Sequence, residues 1–101
     1  KLSFVDTPQN NTLFVNTQEI LKCTTNSKID KCSWLWRPLT GDTEPTVIRE
    51  FPPMEPSSKN CSLNFPQVRI EDQGYWACRV SIATTNTLLT TPFAKVVVYE
   101  Q

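Results

Sequence analysis

The chain contains no histidine, and that absence removes much of enzymology. Histidine is the side chain whose ordinary pKa lies nearest neutrality, so the commonest general base near pH 7 is missing, along with Ser-His and Cys-His pairs. With no histidine nitrogen and no Cys-x-x-Cys spacing, a zinc centre has no framework either. Glycine is nearly as scarce: Gly41 and Gly74 stand alone, which excludes a glycine-rich loop of the usual phosphate-cradling kind. Charge of one sign is not in excess. Lys plus Arg and Asp plus Glu each number 10 and are scattered, so no basic face favours nucleic acid or anionic lipid. Long apolar runs are missing as well. The longest, Val96-Val97-Val98-Tyr99, is far too short to span a bilayer, and no secretory leader opens the sequence. The chain is therefore expected to be a mature fragment of a larger protein, held at a membrane only through an anchor outside it.

Carboxylate pairs are the remaining catalytic option. Asp42 with Glu44, and Glu71 with Asp72, fall in turn-like segments with no sign of a pocket, so solvated or corner-forming roles are expected of them. No enzymatic activity, cofactor or metal is expected.

What the chain does have is cysteine. Cys23, Cys32, Cys61 and Cys78 in 101 residues suit two disulfides in an oxidising compartment, with three connectivities open on counting alone. Two sequons, Asn10-Asn11-Thr12 and Asn60-Cys61-Ser62, point to the same compartment and make Asn10 and Asn60 candidate N-glycosylation sites. Asn60 is the weaker of the two, because a bridge at its middle residue would compete with the sugar. The length is that of one domain, residues 1–101, with a single core.

The remaining pattern is strand-like throughout. Short alternating runs rich in Val, Thr, Ile and aromatic residues are broken by Pro, Asn, Asp and Gly, and no stretch has a helical period. Strands are expected over 2–5, 12–15, 19–24, 31–37, 46–51, 61–65, 75–82 and 93–99, with a polar hairpin of Thr and Asn before the last.

The run Glu71-Asp72-Gln73-Gly74-Tyr75-Trp76-Ala77-Cys78 reads D-x-G-x-W-x-C. With Cys23 far upstream and Trp34 and Trp36 between the cysteines, it resembles the E-F corner and strand F of an immunoglobulin domain. The resemblance covers essentially the whole chain. It implies an all-β, two-sheet antiparallel Greek-key sandwich, closer to the I-set or C2 type than to a full variable domain, because the interval between strands C and E has no room for a C'' strand. The segment 46–51 stands as strand D or a C'-like strand. The resemblance also pairs Cys23 with Cys78. In that topology strands C and E lie in opposite sheets, so Cys32 and Cys61, each on an inward-facing position, are expected to form a second bridge across the interior.

Inward alternation assigns Leu21, Trp34, Trp36, Leu63, Phe65 and Trp76 to the core. Trp34 is favoured over Trp36 to pack on the Cys23–Cys78 bridge, with an exposed Trp36 anchoring a partner as the alternative. Two residues before the second cysteine the family usually has the tyrosine of the tyrosine corner. Trp76 stands there instead, and its indole N–H is a donor capable of an equivalent bond; a one-residue bulge would give the corner to Tyr75. Asp72 resembles the corner acid that pairs with an arginine near strand D, for which Arg49 is the candidate.

Family members generally bind through the exposed face of the G, F and C strands or through loops at one end. Leu35 and Arg37, with Ala77, Arg79 and Tyr75, are expected on that face. Leu88 or Leu89 is a further contact candidate, since one of two adjacent strand residues turns outward. The function implied is recognition of another protein by an extracellular domain of a cell-surface adhesion or receptor protein, a second copy of the domain included among candidate partners. A structural spacer, or a secreted immune-type recognition protein, are the alternatives.

Overall fold

The alternating, β-branched segments form ten short strands in the computed structural model, which describes residues 1–41, 44–51 and 59–100, and of 46–51 the backbone alone. They are β1 (Phe4–Asp6), β2 (Asn11–Phe14), β3 (Glu19–Leu21), β4 (Thr24–Thr25), β5 (Lys31–Arg37), β6 (Thr46–Phe51), β7 (Leu63–Phe65), β8 (Gly74–Ile82), β9 (Thr87–Thr90) and β10 (Ala94–Tyr99). A 3-10 turn, Ile70–Asp72, leads into β8.

One layer is the sheet β2-β10-β8-β5-β6, with β9 also on β8; the other holds the pairs β1-β4 and β3-β7. All pairings are antiparallel except β2 with β10, which runs parallel from Val96 opposite Asn11 to Tyr99 opposite Phe14. The chain thus begins in one layer and crosses to the other around the buried Pro8, where a residue without an N–H cannot continue the first ladder. The open question over 46–51 is answered by β6, which pairs with β5 from Cys32 opposite Phe51 to Trp36 opposite Thr46 and so is C'-like.

Several expected boundaries shift by a residue or two, and three segments differ more. The expected strand 19–24 is split into β3, paired with β7, and β4, paired with β1, because the Cys23 N–H between them goes to a side chain and not to a ladder carbonyl. Regular pairing of the segment 61–65 starts only at Leu63, because side-chain oxygens take the place of ladder carbonyls. The Cys23 N–H donates to Ser62 Oγ at 3.1 Å and the Ser62 N–H to Asn60 Oδ1 at 2.9 Å. The polar hairpin, in turn, contains β9, paired from Arg79 opposite Thr90 to Ile82 opposite Thr87. Threonine is a good strand former, so the turn shrinks to Ala83–Asn86, closed by the Asn86 N–H on the Ala83 carbonyl at 3.2 Å. Asn86 has φ 51°, a left-handed conformation asparagine tolerates.

The core lies between the layers. Cys23 is bonded to Cys78 and Cys32 to Cys61, and all four sit in the buried cluster with Leu21, Trp34, Leu63, Phe65 and Trp76. Trp34 is directly opposite Cys78 in the β5–β8 ladder and fully buried. Trp36 departs from its core assignment: it is half-buried, packed against the cluster from the rim. Each bridge stabilises by roughly 2–4 kcal/mol, chiefly by restricting the unfolded chain.

All three indoles find an acceptor. The Trp34 Nε1–H donates to the Cys61 carbonyl at 2.8 Å, which ties one layer to the other. The Trp76 Nε1–H donates to the Asp72 carbonyl at 2.8 Å, and the Trp36 Nε1–H to the Gln73 carbonyl at 3.0 Å. Tryptophan therefore makes the corner bond, with Tyr75 turned outward. Trp76 also meets Phe65 edge-on at 5.4 Å and Trp34 at 6.4 Å between centroids. The Asp72 carboxylate accepts the Arg69 N–H at 2.8 Å and so braces the corner itself. The side chain of Arg49, its expected partner, lies outside the described residues, as does Asp42.

Gly74 is dictated by this corner. A Cβ there would overlap the Trp36 indole nitrogen and come within 2.6 Å of the Arg37 carbonyl oxygen. Backbone of β5 cannot retreat without breaking its ladder to β8. Gly74→Ala is therefore expected to lower unfolding stability in urea by at least about 2 kcal/mol. The penalty should shrink in a Trp36→Leu background, where the indole is gone; equal penalties in the two backgrounds would show that Trp36 does not set the requirement.

Candidate recognition surface on the outer sheet face

Strand alternation gives the sheet β2-β10-β8-β5-β6 an inner face on the core and an outer face on solvent. From the ladder registers the outer positions are Lys31, Ser33, Leu35 and Arg37 of β5, Tyr75, Ala77, Arg79 and Ser81 of β8, Leu88 and Thr90 of β9, and Lys95, Val97 and Tyr99 of β10. None of these positions on the four strands carries a carboxylate, whereas four carry a cation.

At the end nearer the corner, Arg37 and Tyr75 face each other across the ladder. The Arg37 guanidinium lies over the Tyr75 ring at 4.2 Å from its centroid and near the Phe93 ring at 5.4 Å. Both rings present their negative faces to the cation, an attraction of about 0.5–1 kcal/mol at an exposed site. Phe93 reaches this position because the last strand is broken before it. Pro92 offers no N–H to the ladder, and Thr91 fills the gap by turning its hydroxyl to accept the Cys78 N–H at 2.9 Å. Sequence reasoning did not single out Phe93. The signal was present: Ala94, Val96 and Val98 point inward, which sets the residue before them outward.

The middle of the face differs from expectation. Leu35 projects to the outer side as assigned but is only 9% exposed, and its neighbour across the ladder, Ala77, is fully buried. Both lie in the middle of the face, Ala77 between Tyr75 and Arg79 in its own strand and Leu35 between Ser33 and Arg37. Leu35 is thus a buried floor of the face rather than a freely offered contact. Arg79 is half-buried, opposite Ser33 and Thr90.

At the far end the two adjacent leucines separate. Leu88 is 60% exposed on the outer side, whereas Leu89 turns inward and packs against the core cluster, so Leu89 is withdrawn as a contact. A second exposed apolar pair, Phe14 and Tyr99, closes the β2–β10 edge with ring centroids 6.4 Å apart. Among the described residues no group of His, Cys, Asp or Glu side chains is arranged to hold a metal ion.

The difference between floor and surface is measurable. Leu35→Ala is expected to cost about 2–3 kcal/mol of stability as a buried truncation, and Leu88→Ala to stay within about 0.5 kcal/mol of the parent in the same urea titration. Equal, small effects would return Leu35 to the exposed surface.

No protein-family model matches the chain, and no curated protein matches it. Among solved structures it is similar to the crystal structure of Duf (Kirre) D1, with a TM-score of 0.71, 16% sequence identity, and coverage of 100% of this chain and 99% of that one. At that identity the likeness speaks to the fold. With the two layers, the interlayer Cys23–Cys78 bridge and the buried Trp34 beside it, the chain is an immunoglobulin-fold domain.

Proposed function

We propose that this domain is an extracellular recognition module that binds another protein through the outer face of β5, β8, β9 and β10. The observation that carries the reading is the Arg37 guanidinium set over the Tyr75 ring and near the Phe93 ring on the outer sheet face. Arginine and tyrosine are among the residues that dominate binding energy at protein interfaces, and a guanidinium already ordered by two rings loses less freedom on docking. Leu35 and Ala77 give the face an apolar floor; Arg79 and Lys95 extend its cationic character, and Leu88 adds an exposed apolar group at the opposite end. A partner with an acidic, partly apolar patch complements it.

Two disulfides in a small domain support an oxidising, extracellular compartment, as an ectodomain of a cell-surface adhesion or receptor protein or as a secreted one. A second copy of the domain is one admissible partner.

The reading is tested by displaying the domain as a multimer against an array of cell-surface proteins, its own ectodomain included. Arg37→Ala with Arg79→Glu is expected to weaken capture by tenfold or more, while the melting temperature moves by no more than a few degrees. Binding should also fall as salt rises through the physiological range. A partner captured equally well by the double variant would remove this face from recognition and favour a spacer role with binding elsewhere.

A further inference from the structure

The two sequons occupy opposite kinds of site. Asn10 is exposed immediately before β2, and its Oδ1 accepts the Lys95 N–H at 2.8 Å. Because the donor is a backbone N–H, the atom facing β10 must be the amide oxygen. The Nδ2 amino group is therefore turned away from the strand, and among the described residues it has no hydrogen-bond partner. A sugar on Nδ2 would leave the Oδ1 bond intact, since an N-glycosidic amide keeps its carbonyl oxygen. Beside Asn10 a shallow groove over the paired strands β2 and β10 is lined by Asn11, Thr12, Lys95 and Val97.

Asn60 is instead woven into the fold. Its Oδ1 accepts the Ser62 N–H, and the Ser62 hydroxyl that defines the sequon accepts the Cys23 N–H. The middle residue Cys61 donates its N–H to the Cys23 carbonyl at 2.7 Å, and its sulfur is bonded to Cys32. Cys32 precedes Cys61 by 29 residues, so it has already been synthesised when the sequon emerges and can capture Cys61 at once.

We propose that Asn10, and not Asn60, carries an N-linked glycan, and that this glycan stands at the head of β2. In the transfer, Asn10 Nδ2 forms a bond to the anomeric carbon of a lipid-diphosphate-linked oligosaccharide. The anomeric carbon–oxygen bond breaks, the lipid diphosphate leaves, and Nδ2 gives up one proton. The placement matters because among the described residues β2 pairs only with β10, and its other edge offers backbone to any strand that approaches. A bulky polar group at the head of that edge blocks such pairing, while the β5–β8 part of the outer face stays clear.

The test is glycopeptide mass spectrometry on the chain secreted from eukaryotic cells behind a leader. The peptide containing Asn10 is expected to be predominantly glycosylated and the peptide containing Asn60 predominantly bare. Thr12→Val, which removes the sequon and leaves the Asn10–Lys95 bond, should abolish the glycan without shifting the melting temperature by more than a few degrees. Cys32→Ser with Cys61→Ser keeps an Asn-Ser-Ser sequon and frees it from bridging, so occupancy of Asn60 should rise several-fold; transfer precedes folding, and cell lysate serves if secretion fails. An unmodified Asn10, or equal occupancy of Asn10 and Asn60 in the parent chain, would overturn the proposal. No rise at Asn60 in the double serine variant would overturn the competition with the bridge that explains it.

Discussion

An indole N–H removed from water must find an acceptor, and in this domain three of them find backbone carbonyls at places that fix the architecture. An unsatisfied buried donor costs about 1–3 kcal/mol, a sizeable fraction of the stability of a small domain. Trp34 spends its donor across the interior on Cys61, the residue whose sulfur reaches back to Cys32 two positions before Trp34. Bridge and hydrogen bond thus span the same gap between layers, one covalent and one polar. Trp76 and Trp36 anchor consecutive carbonyls, those of Asp72 and Gln73, so the corner before β8 is clamped from within the core and from its rim. The clamp explains why Gly74 must be glycine and why the Asp72 carboxylate, freed of any duty to the indoles, can brace the Arg69 N–H. Gln73 carries the same bracing outward: its side-chain oxygen accepts the Val98 N–H at 3.0 Å and ties the corner to the final strand.

The second bridge and the Cys23–Cys78 bridge share a neighbourhood. Trp34 stands opposite Cys78 and Cys32 opposite Val80 in the same ladder, so the sulfurs staple the layers one pleat apart along β5. Both staples lie toward the end from which the β8–β9 turn projects. Ile29, fully buried, and the Asp30 carboxylate, which accepts the Ala83 N–H, fasten that turn to the chain before β5.

The sandwich is legible in the sequence because its signals are redundant. Cysteine spacing, tryptophan position, strand alternation and turn residues all specify one arrangement, and agreement between levels is what makes a fold inferable. The inward set followed from a period of two, and Trp34, Leu21, Leu63, Phe65 and Trp76 stand where that period puts them. What alternation does not supply is depth. It assigns Leu35 to the outer side, yet exposure depends on what surrounds a side chain, and Leu35 is only 9% exposed. The extra strand β9 escaped for a different reason: a Thr-rich stretch scores as polar, although its backbone preference is for strand. Phe93 was overlooked because it borders the break at Pro92, where a strand boundary obscures which way a side chain points.

The outer face combines two properties that usually oppose each other. A flexible arginine on a sheet adapts to many partners but loses rotamer freedom when it docks, roughly 0.5–1.5 kcal/mol for such a side chain. Arg37 has lost part of that freedom already, through its contacts with two rings that are themselves fixed, one by the β8 ladder and the other by the Thr91–Cys78 bond beside the break. Arg79, on the neighbouring strand β8, has no such rings beside it among the described contacts, and Lys95 projects from β10 as an exposed amine. The face therefore grades from a preset anchor near the corner to adaptable charge away from it. A partner meeting this gradient would be oriented by the ordered end and attracted by the rest, because mobile charges steer an encounter at a distance whereas a fixed one defines its register.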